Sequence, residues 1–245
     1  MTVTHVAARP RISAEHAFFV AMSFLLLALV CSGFSRTFLL HRWFPEVRAP
    51  AEPFFAIHGI VFLGWFVLLA VQSGLVAQRR VALHRSLGVL GGVLATVMVV
   101  LGITGAVIAG RRTGGFTGVP VPPLQFMAIP FFDMVVFSST IGTAFALRRD
   151  LQAHKRLMLI GSIAIITAAL ARFPAIFRLG PPAFFGLTDL LLLPIVAWDV
   201  VSRRRLHPAT LWAGLGLVIS QPLRLVVSGS TGWVTFARWL TGLAG

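Results

Sequence analysis

Runs of apolar residues long enough to cross a bilayer alternate along this chain with short basic or Gly/Pro-rich breaks, seven times over. The runs cover approximately residues 17–37, 54–78, 86–110, 124–147, 157–177, 183–201 and 208–228, each near the ~20 residues that a helix needs to span ~30 Å of hydrocarbon. Continuous apolar runs of this length predict helices buried in lipid rather than amphipathic helices on a water-facing core. Arg79 and Arg80, the basic stretch 148–156, and Arg203, Arg204 and Arg205 mark breaks on one side. Residues 111–123 and Gly180, Pro181 and Pro182 mark them on the other. The expected fold class is therefore an all-α membrane protein, a seven-helix transmembrane bundle over 17–228. A short segment, 1–16, precedes it and an interfacial tail, 229–245, carries Trp233, Phe236, Arg238 and Trp239.

Composition supports this reading. The chain is 57% hydrophobic and 11% charged, whereas a soluble domain draws roughly 25% of its residues from the charged set. A net charge of +14 does not imply nucleic acid, because the basic residues form short clusters between apolar runs. More than half of the 21 basic residues flank the starts of odd-numbered spans: Arg9, Arg11, Arg79, Arg80, Arg85, Arg148, Arg149, Lys155, Arg156 and the Arg203 triplet. The positive-inside rule makes that side cytoplasmic, with the N-terminus inside, the C-terminus outside and a bacterial inner membrane as the location. The first run lacks a small-residue cleavage site and reads as a retained helix. Cys31 is the one cysteine, which leaves no disulfide framework and no thiolate metal set.

His16, His84, His154 and His207 sit at or just before the starts of the first, third, fifth and seventh spans, at one depth. Neutral imidazole is a common metal and haem ligand, and facing histidines in a bundle can hold haem b through its two axial positions. His84 and His154 form the candidate pair, with Arg85, Lys155 and Arg156 as candidate propionate contacts; His207 and His16 are weaker metal candidates. The alternative is that these histidines merely sit comfortably among headgroups. A second set lies within the spans: Asp133, Arg172, Asp189, Arg224 and His58. Ionisable groups there cost ~2.5–3.5 kcal/mol each, so they either pair in a polar clasp or line a site for a small molecule, a quinone or a proton path. His58, Phe62, Trp65 and Gln72 share one helical stripe that should face inward. Gly88, Gly92 and Thr96, four apart, predict a close helix contact.

The pattern H, basic, x, L, x, x, x, G occurs at His84, Arg85, Leu87, Gly91 and again at His154, Lys155, Leu157, Gly161, each copy after an arginine pair. This suggests parallel repeats of the hairpins 54–110 and 124–177. With His58, Gly59 and Arg172, these motifs resemble a family of bacterial multipass inner-membrane proteins catalogued as a predicted membrane domain of unknown function, over about residues 54–210. That family often has tryptophan where Leu157 stands and an aromatic residue near Val89 and Leu90. The resemblance implies a multipass fold and no activity. The histidines at helix starts are also loosely similar to those of membrane b-type cytochromes, and the glutamate, serine and paired-histidine pattern of seven-helix zinc hydrolases is missing. Three functions stand at this point: a haem-binding or redox-linked protein, a small-molecule or proton transporter using the Asp/Arg cluster, and a noncatalytic assembly scaffold.

The basic clusters make orientation testable. Reporter fusions after Arg80, Arg149 or Arg204 should report cytoplasm and a fusion after Arg112 the outside; the reverse pattern would reject the assignment of sides.

Overall fold

The computed structural model describes residues 13–47, 53–113 and 121–242; Arg9 and Arg11 and much of the 111–123 loop lie outside them. It is all-helical, with no strand among the described residues. The helices are α1 (Ala14–Gly33), α2 (Pro53–Ala77), α3 (Val81–Gly110), α4 (Pro123–Phe126), α5 (Ala128–Ala146), α6 (Leu151–Ala164), α7 (Thr167–Leu170), α8 (Pro174–Arg178), α9 (Pro181–Leu190), α10 (Leu193–Arg203), α11 (Pro208–Ser228) and α12 (Thr231–Thr241). A π-helical turn, Ser35–Leu39, follows α1. Among the described residues, 7 helical segments are long and apolar enough to cross a membrane, as expected of a multi-pass membrane protein.

Three of these segments are interrupted, each for a local reason. Pro130 in α5 and Pro194 in α10 cannot donate a backbone bond, and each ring crowds the carbonyl four residues earlier. α4 ends at Phe126 and α9 at Leu190, four before each proline. Between α6 and α7 the run Ile163, Ile165, Ile166, Thr167 is rich in β-branched residues, which fit a helix less well. Thr167 instead bonds Thr188 of α9 across 3.0 Å.

Several boundaries move from their expected places. Asp150 caps α6 by accepting from the backbone of Gln152 and Ala153, so the fifth span begins at Leu151 and carries His154, Lys155 and Arg156 in its first turns. It ends at Leu170 because Pro174 holds Phe173 extended. Arg172 therefore lies in the turn after α7 rather than late in the helix. α3 likewise starts at Val81 and takes in His84.

The interior is built around α6 and α7. Of this segment 78% is buried, against 22–39% for the other six. Leu159, Ile160 and Ile163 of α6 meet Leu26 of α1, Trp65 of α2, Met98 of α3 and Phe137 of α5 in one core. Trp65 donates to Ser162 across 3.0 Å, and Ser23 and Ser73 bond at 2.7 Å between α1 and α2. The outward faces of α2 and α3 carry Ile57, Ile60, Val67, Val71, Val89, Val93 and Val100 in the open, where lipid rather than water is the natural solvent.

The inward face of α3 is the small-residue stripe Gly91, Ala95, Gly102, Gly105, Ala106 and Ala109. This corrects the expected contact at Gly88, Gly92 and Thr96: Gly88 has nothing within 4 Å and Thr96 is exposed. The close approach lies at Gly102, where an added Cβ would strike the Met134 side chain. α12 folds back across the ends of α3 and α4. It buries Trp233, Ala237 and Thr241 and exposes Trp239; Trp233 donates to the Leu124 carbonyl at 2.8 Å, and Arg111 to that of Thr241 at 2.6 Å. The two hairpins of the expected repeat differ, since α2 and α3 are unbroken and the segments made by α4 to α7 are not.

Gly33 tests the packing of α1 on the broken span, because an added Cβ would collide with the Ala169 carbonyl. Backbone yields less readily than a side-chain tip, so Gly33→Ala should cost about 1–3 kcal/mol. This should appear as a lowered midpoint in detergent thermal melts, while Gly88→Ala should leave it unchanged.

Candidate functional site

Polar side chains concentrate at the two ends of the bundle, and the ends are built differently. At the histidine-rich end, Arg156 and Asp199 form an ion pair with both side chains at 0% exposure. Asp199 Oδ1 accepts from Arg156 Nε at 2.9 Å, and its Oδ2 accepts from the His207 backbone at 3.0 Å and the Thr210 hydroxyl at 2.6 Å. Arg156 Nη1 also donates to the Gln152 carbonyl and side chain at 2.9 and 2.7 Å. Gln152 donates to Glu15 at 3.2 Å, and Lys155 pairs with Glu15. One network thus joins α1, α6, α10 and α11.

This placement leaves Arg156 no free edge for a propionate and engages Lys155 with Glu15; Arg85 is the exposed member of that trio. His154 Nδ1 lies 2.8 Å from the Ala144 carbonyl, and a carbonyl can only accept, so the proton sits on Nδ1. His84 Nδ1 is enclosed without a partner. His16 bonds Ser13 at 3.0 Å. His207 caps α11, its Nδ1 accepting from the Ala209 backbone at 3.1 Å. Among the described residues no group of three or more His, Cys, Asp or Glu is placed to hold a metal ion.

The opposite end contains a cavity of ≈ 110 Å³, several times the roughly 10–15 Å³ that one water needs. Phe34 lines it from the C-cap of α1, Phe38 from the π turn, His58, Phe62 and Phe66 from α2, Gly102 from α3, Asp133 and Met134 from α5, Ile165 from the α6/α7 break, and Ala168 and Ala169 from α7. Non-helical backbone inside a membrane bundle is tolerated where protein or a cavity covers it, and interrupted helices are a structural pointer to binding sites.

The five in-span groups do not form one clasp. Asp133 Oδ1 pairs with Arg224, whose remaining donors reach Ser220 and the Ile129 carbonyl. Asp189 accepts from Gln221 at 2.9 Å instead of from an arginine. Arg172 donates to the Ala168 carbonyl at 2.5 Å and lies over the Phe34 ring at 3.9 Å. His58 stacks on Phe62 at 4.0 Å. Asp133 and His58 meet at the cavity, while Asp189 does not line it.

No protein-family model, curated protein or solved structure matches this chain. The resemblance drawn from the histidine motifs therefore rests on those residues alone.

Asp199 and Glu15 were not singled out from the sequence. A signal exists for Asp199, a carboxylate within the expected 183–201 span. Glu15 carried none.

Two measurements probe the histidine-rich end. Asp199→Ala strands the Arg156 guanidinium and should cost about 3–5 kcal/mol, read as lost accumulation or a lowered melting midpoint. The double variant with Arg156→Met should lose less than the two single effects added together. The second measurement concerns His207, whose imidazole burial holds below its ordinary 6.5, with Arg156 and Arg203 adding to the effect. The unfolded chain binds a proton near 6.5 and the folded chain does not. This contribution is therefore complete at higher pH and is lost as pH falls below 6.5 toward the depressed folded value. Melting midpoints should fall between pH 7.5 and 5.5, and His207→Asn, which keeps a capping acceptor, should flatten that slope.

Proposed function

We propose that this protein takes a small, mostly apolar molecule from the bilayer into the cavity beside the α6/α7 break, as the binding step of a membrane transporter. The observation that carries this reading is a cavity of aromatic and aliphatic walls that also presents His58 and the Asp133 carboxylate. Small-molecule sites combine apolar walls with a few placed polar groups in this way. Interrupted segments on two sides of it, at Met127 and at Ile165 and Ile166, supply elements able to rearrange as a ligand enters or leaves. A bacterial inner membrane is the location that the basic clusters favour.

A redox-linked reading is favoured by one specific observation. His154 holds its Nδ1 proton on the Ala144 carbonyl, which is how a ligating histidine is commonly oriented by its surroundings. His84, at the same end, has a buried nitrogen without a partner. The pair would supply two nitrogens for the axial positions of haem b, but the expected propionate contact at Arg156 is taken up by Asp199. The visible spectrum of the purified protein tests this reading, a Soret band lost in both His84→Ala and His154→Ala supporting it.

For the cavity, native mass spectrometry of the detergent-purified protein should detect bound decylbenzene, a neutral apolar probe. Ala168→Phe, which fills the space from its wall, should reduce occupancy at least tenfold. Equal occupancy in a folded Ala168→Phe variant would refute the reading.

A further inference from the structure

The polar atoms facing the cavity restrict what it can hold, and this step rests on the binding reading above. No hydrogen bond to His58 Nδ1 meets ordinary geometric limits, but the Leu101 backbone stands near enough to act on the ring. Its Nδ1 is enclosed and faces α3, 3.7 Å from where a Cβ on Gly105 would stand, with the Leu101 backbone acceptor on the same side. A carbonyl there can only accept, which places the ring proton on Nδ1 and leaves the other nitrogen, Nε2, as an acceptor. Nε2 is neither bonded nor enclosed, and His58 is among the residues that line the cavity. Asp133 spends Oδ1 on Arg224, while its Oδ2 is also neither bonded nor enclosed. The cavity therefore offers two acceptors and no free donor, between Phe34, Phe38, Phe62 and Phe66.

Charge narrows the choice further. An ammonium ion would suit two acceptors, but Arg224 already balances Asp133. Arg172 adds a positive charge near the Phe34 and Ala168 wall without lining the cavity. An anionic headgroup would meet the carboxylate and an acceptor nitrogen, and a quinone brings two more acceptors where none can be satisfied. What remains is a neutral, lipid-soluble donor with a flat apolar body.

We propose that the cavity binds a lipophilic hydroquinone, its ring between the phenylalanines and its hydroxyl groups donating to His58 Nε2 and Asp133 Oδ2. Buried acceptors that lose a donor are left unpaired, and sites built around a substrate hydroxyl discriminate strongly against analogues that lack it.

The test compares three ligands of equal tail length on the detergent-purified full chain: decylhydroquinone kept reduced with ascorbate, decylbenzoquinone and decylbenzene. Binding is read by native mass spectrometry. The hydroquinone should bind at least tenfold more tightly than either analogue. His58→Phe, which preserves the aromatic wall, should remove that preference while still binding decylbenzene; retained decylbenzene binding also reports that the variant is folded. Equal or tighter binding of the quinone, or an undiminished preference in His58→Phe, would overturn the hydroquinone assignment. Decylbenzene binding without any preference would overturn it too while leaving the cavity reading intact. Binding of none of the three would overturn both.

Discussion

A guanidinium and a carboxylate can be buried with no exposure only as partners, and the Arg156–Asp199 pair ties the last two spans to the rest of the bundle. Each ion would cost several kcal/mol if enclosed alone. The geometry that avoids this cost fixes α10 against α6 and, through Thr210 and the His207 backbone, fixes the start of α11 as well. All four lone-pair directions of Asp199 need not be filled by charge; two neutral donors complete the shell. Gln152 and Glu15 extend the same constraint to α1. Helices in lipid gain little from burying apolar surface against one another, so directional bonds of this kind take over much of the work of specifying which helix meets which.

The opposite end is held more loosely. Asp133–Arg224 joins α5 to α11, Asp189–Gln221 joins α9 to α11, and Thr167–Thr188 joins α7 to α9, but these links form no single network. The interrupted helices and the cavity both lie here. A continuous α6 through Ile165 and Ile166 would satisfy its own backbone and need fewer outside partners; the break trades that regularity for a wall of short segments around an open space. Small residues on α3 let neighbouring side chains close in, and Met134 sits over Gly102 at the cavity's edge.

Much of the architecture was legible because one solvent imposes one signal. Seven apolar runs predicted seven segments, and the basic clusters separated the ends correctly enough that His16, His84, His154 and His207 all fall at one of them. Details that depend on neighbours were less legible. The third-span contact was expected on Gly88, Gly92 and Thr96 but lies on Gly91, Ala95 and Gly102: small residues line both faces, and their spacing alone does not say which meets another helix. From sequence Arg156 reads as a candidate propionate contact, because its partner is 43 residues away. The four in-span charges looked like one clasp because depth along a helix can be counted from sequence, whereas direction around the helix depends on packing.

The same distinction separates the two candidate sites. At the histidine-rich end the buried charges Arg156 and Asp199 find their partners inside the protein, as a joint requires. At the cavity, Asp133 gives one oxygen to Arg224 and His58 turns Nδ1 toward α3, and each keeps a second acceptor that no protein group fills. Among apolar walls an unsatisfied acceptor has no stabilising role of its own, since replacing it with an apolar group would relieve the cost. On the proposed reading a molecule supplies the missing hydrogen atoms, and it would reach the cavity from the bilayer.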